Sequence, residues 1–299
     1  MFLGATAALL IAVATVSSFG YKTGRVAFDF YELYMFQRAK INAATSVHTI
    51  FVGDSSLGNA FDARHWSMRT GQPALNLALT GAFGYGGSLN MIRHVLERER
   101  PRRVVIVQTL DMLTRGISHR GYLHTTDRLF PLDVVPLSVM VDAYLNLDTA
   151  LSVMKKVSFQ TVSPNLDPVR DYIRQNRPLA TRPSFVRRYC LLQFEAGAIN
   201  PDSLFYLRQI AALCQAEKLD CVYAHGPIVD AYCASSADYL RAANALIEST
   251  GLRVVPGTPV CMPLADAGDS EDHVRPDLRA DYTEKYLALI NSFATAQSR

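Results

Sequence analysis

Residues 48–59 read HTIFVGDSSLGN, and the reading of this stretch decides the fold. The apolar run Ile50-Phe51-Val52 stops at Gly53, Asp54 and two hydroxyls, Ser55 and Ser56, and a helical pattern follows over 57–69. A short apolar run bounded by turn residues is a buried strand that delivers a polar tip into a strand-to-helix turn. In open α/β sheets, ligands bind outside the carboxyl ends of the strands. Ser55 is therefore placed with its hydroxyl outward and its N–H near a helix start, where developing negative charge is stabilised. Asp and Ser ahead of a helix are also ordinary N-caps, and the stretch taken alone fits that role.

The alternation continues outward from this turn. A helix is expected over 58–70 and a second strand over 73–79. A glycine-rich turn (80–87, TGAFGYGG) then opens a helix reaching about Arg100. Pro101-Arg102-Arg103 separates that helix from 104–107 (VVIV), the pattern of a central parallel strand. This is β-α-β-α-β with the connection lengths of a doubly wound sheet. The rhythm lapses over about 111–200, which holds six scattered prolines and a helical stretch near 137–157 and reads as an insertion or cap. Six arginines (Arg170, Arg174, Arg177, Arg182, Arg187, Arg188) fall within it. They read as a solvated surface first and a polyanion or lipid contact second. The rhythm resumes with a helix at 202–217, a strand at 220–224 tipped by His225-Gly226-Pro227, a helix at 235–250 and a strand at 252–255. A final helix is opened by Pro276 and runs from Asp277 to about Phe293.

Composition bounds the function. Of 299 residues 49% are hydrophobic and 19% charged, enough for a sizeable core and no sign of disorder. A net charge of +3 is too small to mark a nucleic-acid binder. The five cysteines form no C-x-x-C pair and no cluster with zinc spacing, so no metal is expected. Cys214 and Cys221 are placed so that a disulfide is permitted in an oxidising compartment. Residues 2–19 carry no charge and the first charged residue is Lys22. That run reads as a membrane anchor over 1–21, followed by an aromatic-rich linker or amphipathic helix over 22–47. The basic residues after it (Lys22, Arg25, Arg38, Lys40) place the downstream domain in the cytoplasm by the positive-inside rule.

A serine becomes a nucleophile when a base takes its proton, and the usual base is a histidine steadied by a carboxylate. His273 follows Asp269, Glu271 and Asp272 in the loop before the last helix. In a doubly wound sheet that loop leaves the same edge as the Ser55 turn. Gly81 and Gly84 at the second strand's tip, with the Ser55 N–H, are the candidate oxyanion donors. Nucleotide binding is disfavoured, because the glycines at 84, 86 and 87 do not match G-x-G-x-x-G and no P-loop is present.

Gly53-Asp54-Ser55, the glycine turn after the next strand and the late Asp-x-x-x-His together resemble the SGNH (GDSL-like) hydrolase superfamily. The branch most similar is the membrane-anchored one tied to O-acylation of cell-surface polysaccharides, including the DltD and alginate O-acetylation proteins. The resemblance implies a flavodoxin-like three-layer α/β fold over 48–299 behind a transmembrane helix. It implies Ser55 as nucleophile, His273 as base, Asp269 or Asp272 as its orienter, and an oxyanion hole from Ser55 and Gly81. It needs no cofactor. The third family block, G-x-N-D, is absent; the matching tip reads Gln108-Thr109-Leu110-Asp111, with Gln108 the substitute donor. Asp54, Gly84 and His225 share that edge as expected substrate contacts, His225 fitting equally as a cap of the turn at Pro227. The implied function is a serine O-acyltransferase or esterase on acetyl-type esters of polysaccharide. An integral membrane acyl-donor protein is the implied partner, and the catalytic domain is implied to be periplasmic on the bacterial cytoplasmic membrane. A non-catalytic scaffold or polymer-binding subunit of such a complex is the alternative.

Overall fold

The 48–59 stretch builds the centre of the sheet. In the computed structural model, which describes residues 2–23, 31–145 and 178–297, β1 (Thr49–Gly53) is buried along its whole length. It pairs in parallel with β2 (Ala74–Ala78) on one side and β3 (Arg103–Gln108) on the other. β4 (Asp220–His225) pairs with β3, and the two-residue β6 (Arg253–Val254) closes the far edge. The order β2-β1-β3-β4-β6, all parallel, reverses direction between β1 and β3. That reversal is the place where open sheets part to admit ligands. A second sheet, β5 (Ile228–Val229) with β7 (Cys261–Met262), flanks the carboxyl edge.

Alternation along the strands divides the core into two layers. Ile50, Val52, Leu77, Val104, Ile106 and Tyr223 face one way, toward α5 (Gly84–Leu96), α9 (Leu204–Ala216) and α11 (Ala237–Glu248). Phe51, Ala78, Val105, Val107, Val222 and Ala224 face the other, toward α3 (Ser55–Ala60), α4 (Ala63–Thr70) and α12 (Arg279–Gln297). On that side Phe51 lies 4.2 Å from Phe61 and 4.9 Å from Trp66, centroid to centroid. Aromatic pairs of this kind add roughly 0.5–1.5 kcal/mol each beyond the area they bury.

The single helix expected over 58–70 is two. Asp62 breaks it, its carboxylate accepting from the N–H groups of Arg64 and His65 to cap α4 afresh. The helical stretch expected at 137–157 is described as α7 (Leu137–Tyr144); the rest of it lies outside the described residues. So do Arg170, Arg174 and Arg177, whereas Arg187 and Arg188 are exposed on α8 (Pro183–Arg188). Two disulfides are present, Cys214–Cys221 and Cys233–Cys261. The second ties α10 (Asp230–Ser235) to β7.

The membrane expectations are corrected here. No helix among the described residues is long and apolar enough to cross a membrane. The uncharged N-terminal run forms α1 (Phe2–Thr23), which lies beside α6 (His119–Thr125) and α7. Ser17 is buried there and Ala14 packs against the core, while Leu9, Leu10, Ile11 and Phe19 stay exposed. The transmembrane helix expected with the sheet is therefore withdrawn, and with it the single-pass periplasmic placement and the anchored route to a membrane acyl-donor and its polysaccharide. α2 (Tyr31–Ala43) turns Leu33, Tyr34, Phe36 and Ile41 into the body.

Candidate active site

The strand registers bring four polar tips to one edge. Gly53 pairs with Ala78 and with Val107, and Gln108 pairs with His225. Residues 54, 79–81, 109 and 226 therefore leave the sheet side by side. Close approach at this point depends on Gly53, where a Cβ would lie 1.7 Å from the Val107 carbonyl oxygen.

Asp54 knits the tips together. Its Oδ1 accepts from the Ser56 N–H (3.0 Å) and the Ser56 hydroxyl (2.6 Å), and its Oδ2 accepts from the Thr109 N–H (2.9 Å). The carboxylate caps α3 and bridges β1 to β3, and with 1% of its surface exposed it has no room for a substrate. Burial first, then the charge of Asp272, pushes its pKa up to about 6 against the pull of its three donors. Ser56 is fully buried, and a Cβ at Gly226 would sit 2.1 Å from its Oγ. Ser55, by contrast, is partly exposed at the start of α3, and among the described residues its side chain makes no hydrogen bond, while its carbonyl accepts from Asn59 Nδ2 (2.7 Å). Of the two hydroxyls the fold leaves Ser55 the available one.

The His273 loop reaches the same edge on a backbone frame. Ala267 and Val274 form an antiparallel bridge, the Gly268 N–H donates to the His273 carbonyl (2.6 Å), and the Val229 N–H donates to the Glu271 carbonyl (2.9 Å). His273 Nδ1 lies 2.7 Å from Asp269 Oδ1, which fixes the proton on Nδ1 and frees Nε2. Asp272 Oδ1 stands 3.7 Å from Nε2 and also accepts from the Ser270 hydroxyl. The loop thus places both aspartates against the imidazole. Burial opposes charge on His273, but Asp272, then Asp269, then Asp54 outweigh it and raise its pKa to about 9. Asp269 is held below its usual range: burial raises it, and the hydrogen bond and charge of His273 more than offset that. Because the charge of Asp272 acts on Asp54 and that of Asp54 acts on His273, the imidazole lies within electrostatic reach of the residue preceding Ser55. Among the described residues no hydrogen bond joins Ser55 Oγ to His273.

Other expected residues are placed elsewhere. Gln108 is fully buried and donates to Ser88 Oγ (3.0 Å), away from the opening. His225 is fully buried, bonded through Nε2 to Asn244 Oδ1 (2.7 Å), and burial depresses its pKa to about 4. It is a neutral core histidine. Gly81 and Gly84 line a cleft at the tip of β2 together with Tyr85, Met112, Arg115 and Ser203. The sequence reading passed over Arg115, although Asp111-x-x-x-Arg115 is a readable pairing at helical spacing. Arg115 Nε and Nη2 donate to Asp111 Oδ2 at 3.1 and 2.7 Å.

No family model matches the chain, and neither a curated protein nor a solved structure is significantly similar to it. The resemblance to the membrane-anchored SGNH branch is accordingly withdrawn: its anchor is missing among the described residues, and a Gly-Asp-Ser turn with a distant Asp/His is too short a pattern to carry a family.

Proposed function

We propose that this edge is a serine-dependent acyl-ester centre, cleaving an ester or passing its acyl group to another hydroxyl. The observation that supports the reading is the Asp269–His273 pair, 2.7 Å apart, on the same sheet edge as Ser55 and within electrostatic reach of the buried carboxylate that precedes it. Ser55 Oγ attacks the ester carbonyl while Nε2 of neutral His273 takes the hydroxyl proton. His273 returns that proton to the departing alkoxide, leaving an acyl ester on Ser55. Water or a second alcohol, deprotonated by His273, then attacks the acyl carbon, and Ser55 leaves with the proton restored. Asp269 holds the tautomer and stabilises the imidazolium. Because His273 holds its proton up to about pH 9, the rate rises with pH toward that value.

The test uses the full-length protein with para-nitrophenyl acetate and a serine-directed fluorophosphonate. Turnover and labelling by wild type, lost in both Ser55→Ala and His273→Ala, is the expected result. A folded wild type that neither turns over nor labels refutes the reading. It leaves the cluster as a structural ion pair, a role for which the pushed-up charge of His273 speaks directly.

A further inference from the structure

We infer that Arg115 is the specificity residue of this centre, receiving a carboxylate or phosphate carried by the substrate beside its ester. The inference rests on the reading of Ser55 given above and adds to it a substrate class.

The geometry begins at Gly81. A Cβ there would lie 2.1 Å from Arg115 Nη1 and 3.1 Å from Cζ, so the guanidinium rests directly on the bare α-carbon of the β2 tip. Gly81 follows the segment hydrogen-bonded to the Ser55 turn, the Leu79 N–H donating to the Gly53 carbonyl at 2.9 Å. Arg115 is also within electrostatic reach of Asp54 and Asp272. Burial lowers its pKa, while Asp111, then those two carboxylates, raise it to a net increase. The guanidinium therefore lies on the same sheet edge as the proposed reaction centre, within reach of its charges.

Its donors are only partly used. A guanidinium carries five N–H groups in a planar fork. Nε and Nη2 are fixed on Asp111 Oδ2, which sets the plane, and Nη1 has no hydrogen-bond partner among the described residues. Arg115 lines a cleft whose other walls are three glycines, a methionine, aromatic rings and hydroxyls, with 42% of its side chain open to solvent. Ser203 Oγ, buried in that wall, also has no hydrogen-bond partner among the described residues. A pre-aimed fork with a free edge matches a two-oxygen anion, to which arginine binds in bidentate fashion. Asp269 and Asp272 already face His273, and Asp111 already faces Arg115, so the free edge is the part of the site left to bind an anion.

The variants follow from the same geometry. Arg115→Gln removes the charge. Arg115→Lys keeps a positive charge and loses the planar fork that would grip two oxygens at once. The full-length protein is assayed on para-nitrophenyl acetate, on para-nitrophenyl hemisuccinate, whose acyl chain carries a carboxylate, and on the acetate ester of a nitro-hydroxybenzoate, whose alcohol carries it. Wild type is expected to favour at least one charged ester by about tenfold or more in kcat/KM. That ratio falls toward one in Arg115→Gln and only part-way in Arg115→Lys, with turnover of the neutral ester kept in both. An equal loss on charged and neutral esters, or a wild type without charge preference, overturns the inference and leaves Arg115 as a counter-charge for the acidic residues. If no ester is turned over, the Ser55 reading fails by itself, and melting temperature in succinate or inorganic phosphate decides the anion site. A rise in wild type that is absent in Arg115→Gln upholds it, and equal responses overturn it.

Discussion

Asp272→Asn isolates the electrostatics of the centre in one nearly isosteric change. Asp272 Oδ1 lies 3.7 Å from His273 Nε2, and the two side chains expose only 13% and 12% of their surface. At that distance unit charges attract by roughly 1 kcal/mol under full water screening and about 4 kcal/mol at the effective dielectric typical of protein sites. One pH unit corresponds to about 1.4 kcal/mol, so His273 should fall from about 9 by roughly one to three units. Asp54, held at about 6 in part by Asp272, should fall with it. Nuclear magnetic resonance titration of the His273 ring and the Asp54 carboxyl, assigned with His273→Gln, reads both shifts without requiring activity. Stability gives an independent readout. A histidine raised in the folded state contributes stability that is fully present below its ordinary value of 6.5 and is lost as pH rises through about 9. The unfolding free energy of wild type should therefore decline across that interval, and that of the variant should decline less. An unmoved His273 with an unmoved Asp54 would refute the claim that these groups share one electrostatic site.

Three further outcomes are expected. Gly53→Ala drives a Cβ into the Val107 carbonyl, backbone against backbone at the centre of the sheet; it should cost more than about 4 kcal/mol or abolish soluble expression, as read by denaturant unfolding. Asp54→Asn sets an amide NH₂ against the Thr109 or Ser56 N–H and should destabilise by roughly 1–3 kcal/mol, which a thermal melt resolves. Replacing Cys233 and Cys261 by Ser opens a loop with a separation of 28 and should cost about 3.5 kcal/mol. The same change at Cys214 and Cys221, separated by 7, should cost about 2.4 kcal/mol. Equal losses from the two pairs would argue against a loop-closure origin.

The central sheet was legible because its strands are buried on both faces and so read as unbroken apolar runs. Strands expected at 73–79, 104–107, 220–224 and 252–255 stand as Ala74–Ala78, Arg103–Gln108, Asp220–His225 and Arg253–Val254. β5 and β7 were not legible, since two residues carry no periodicity. The uncharged 2–19 run was misleading for a related reason: a stretch without charges reads the same whether small residues and hydroxyls serve protein packing or lipid. At the site, strand parity held information that motif matching overrode. Gln108 shares parity with Val104 and Ile106, and His225 with Cys221 and Tyr223, which directs both toward the α5 and α9 layer and away from the opening. Arg115 was legible only as the partner of Asp111 at helical spacing, not as a site residue. Only the three-dimensional closeness of Gly81 shows where its guanidinium goes.

The loop from Ala267 to Val274 keeps its shape independently of most of its side chains. Its course is set by main-chain bonds: the bridge between its ends, Gly268 to His273, Arg275 N–H to Asp266, and Val229 to Glu271. None of these uses the side chains of Asp269, Ser270, Asp272 or His273. The loop is a cassette whose lettering can be exchanged while its binding stays intact. Positions 269, 270, 272 and 273 are where a library of substitutions would change the chemistry while the main-chain course is kept, at the cost of the stability that the His273 ion pairs contribute.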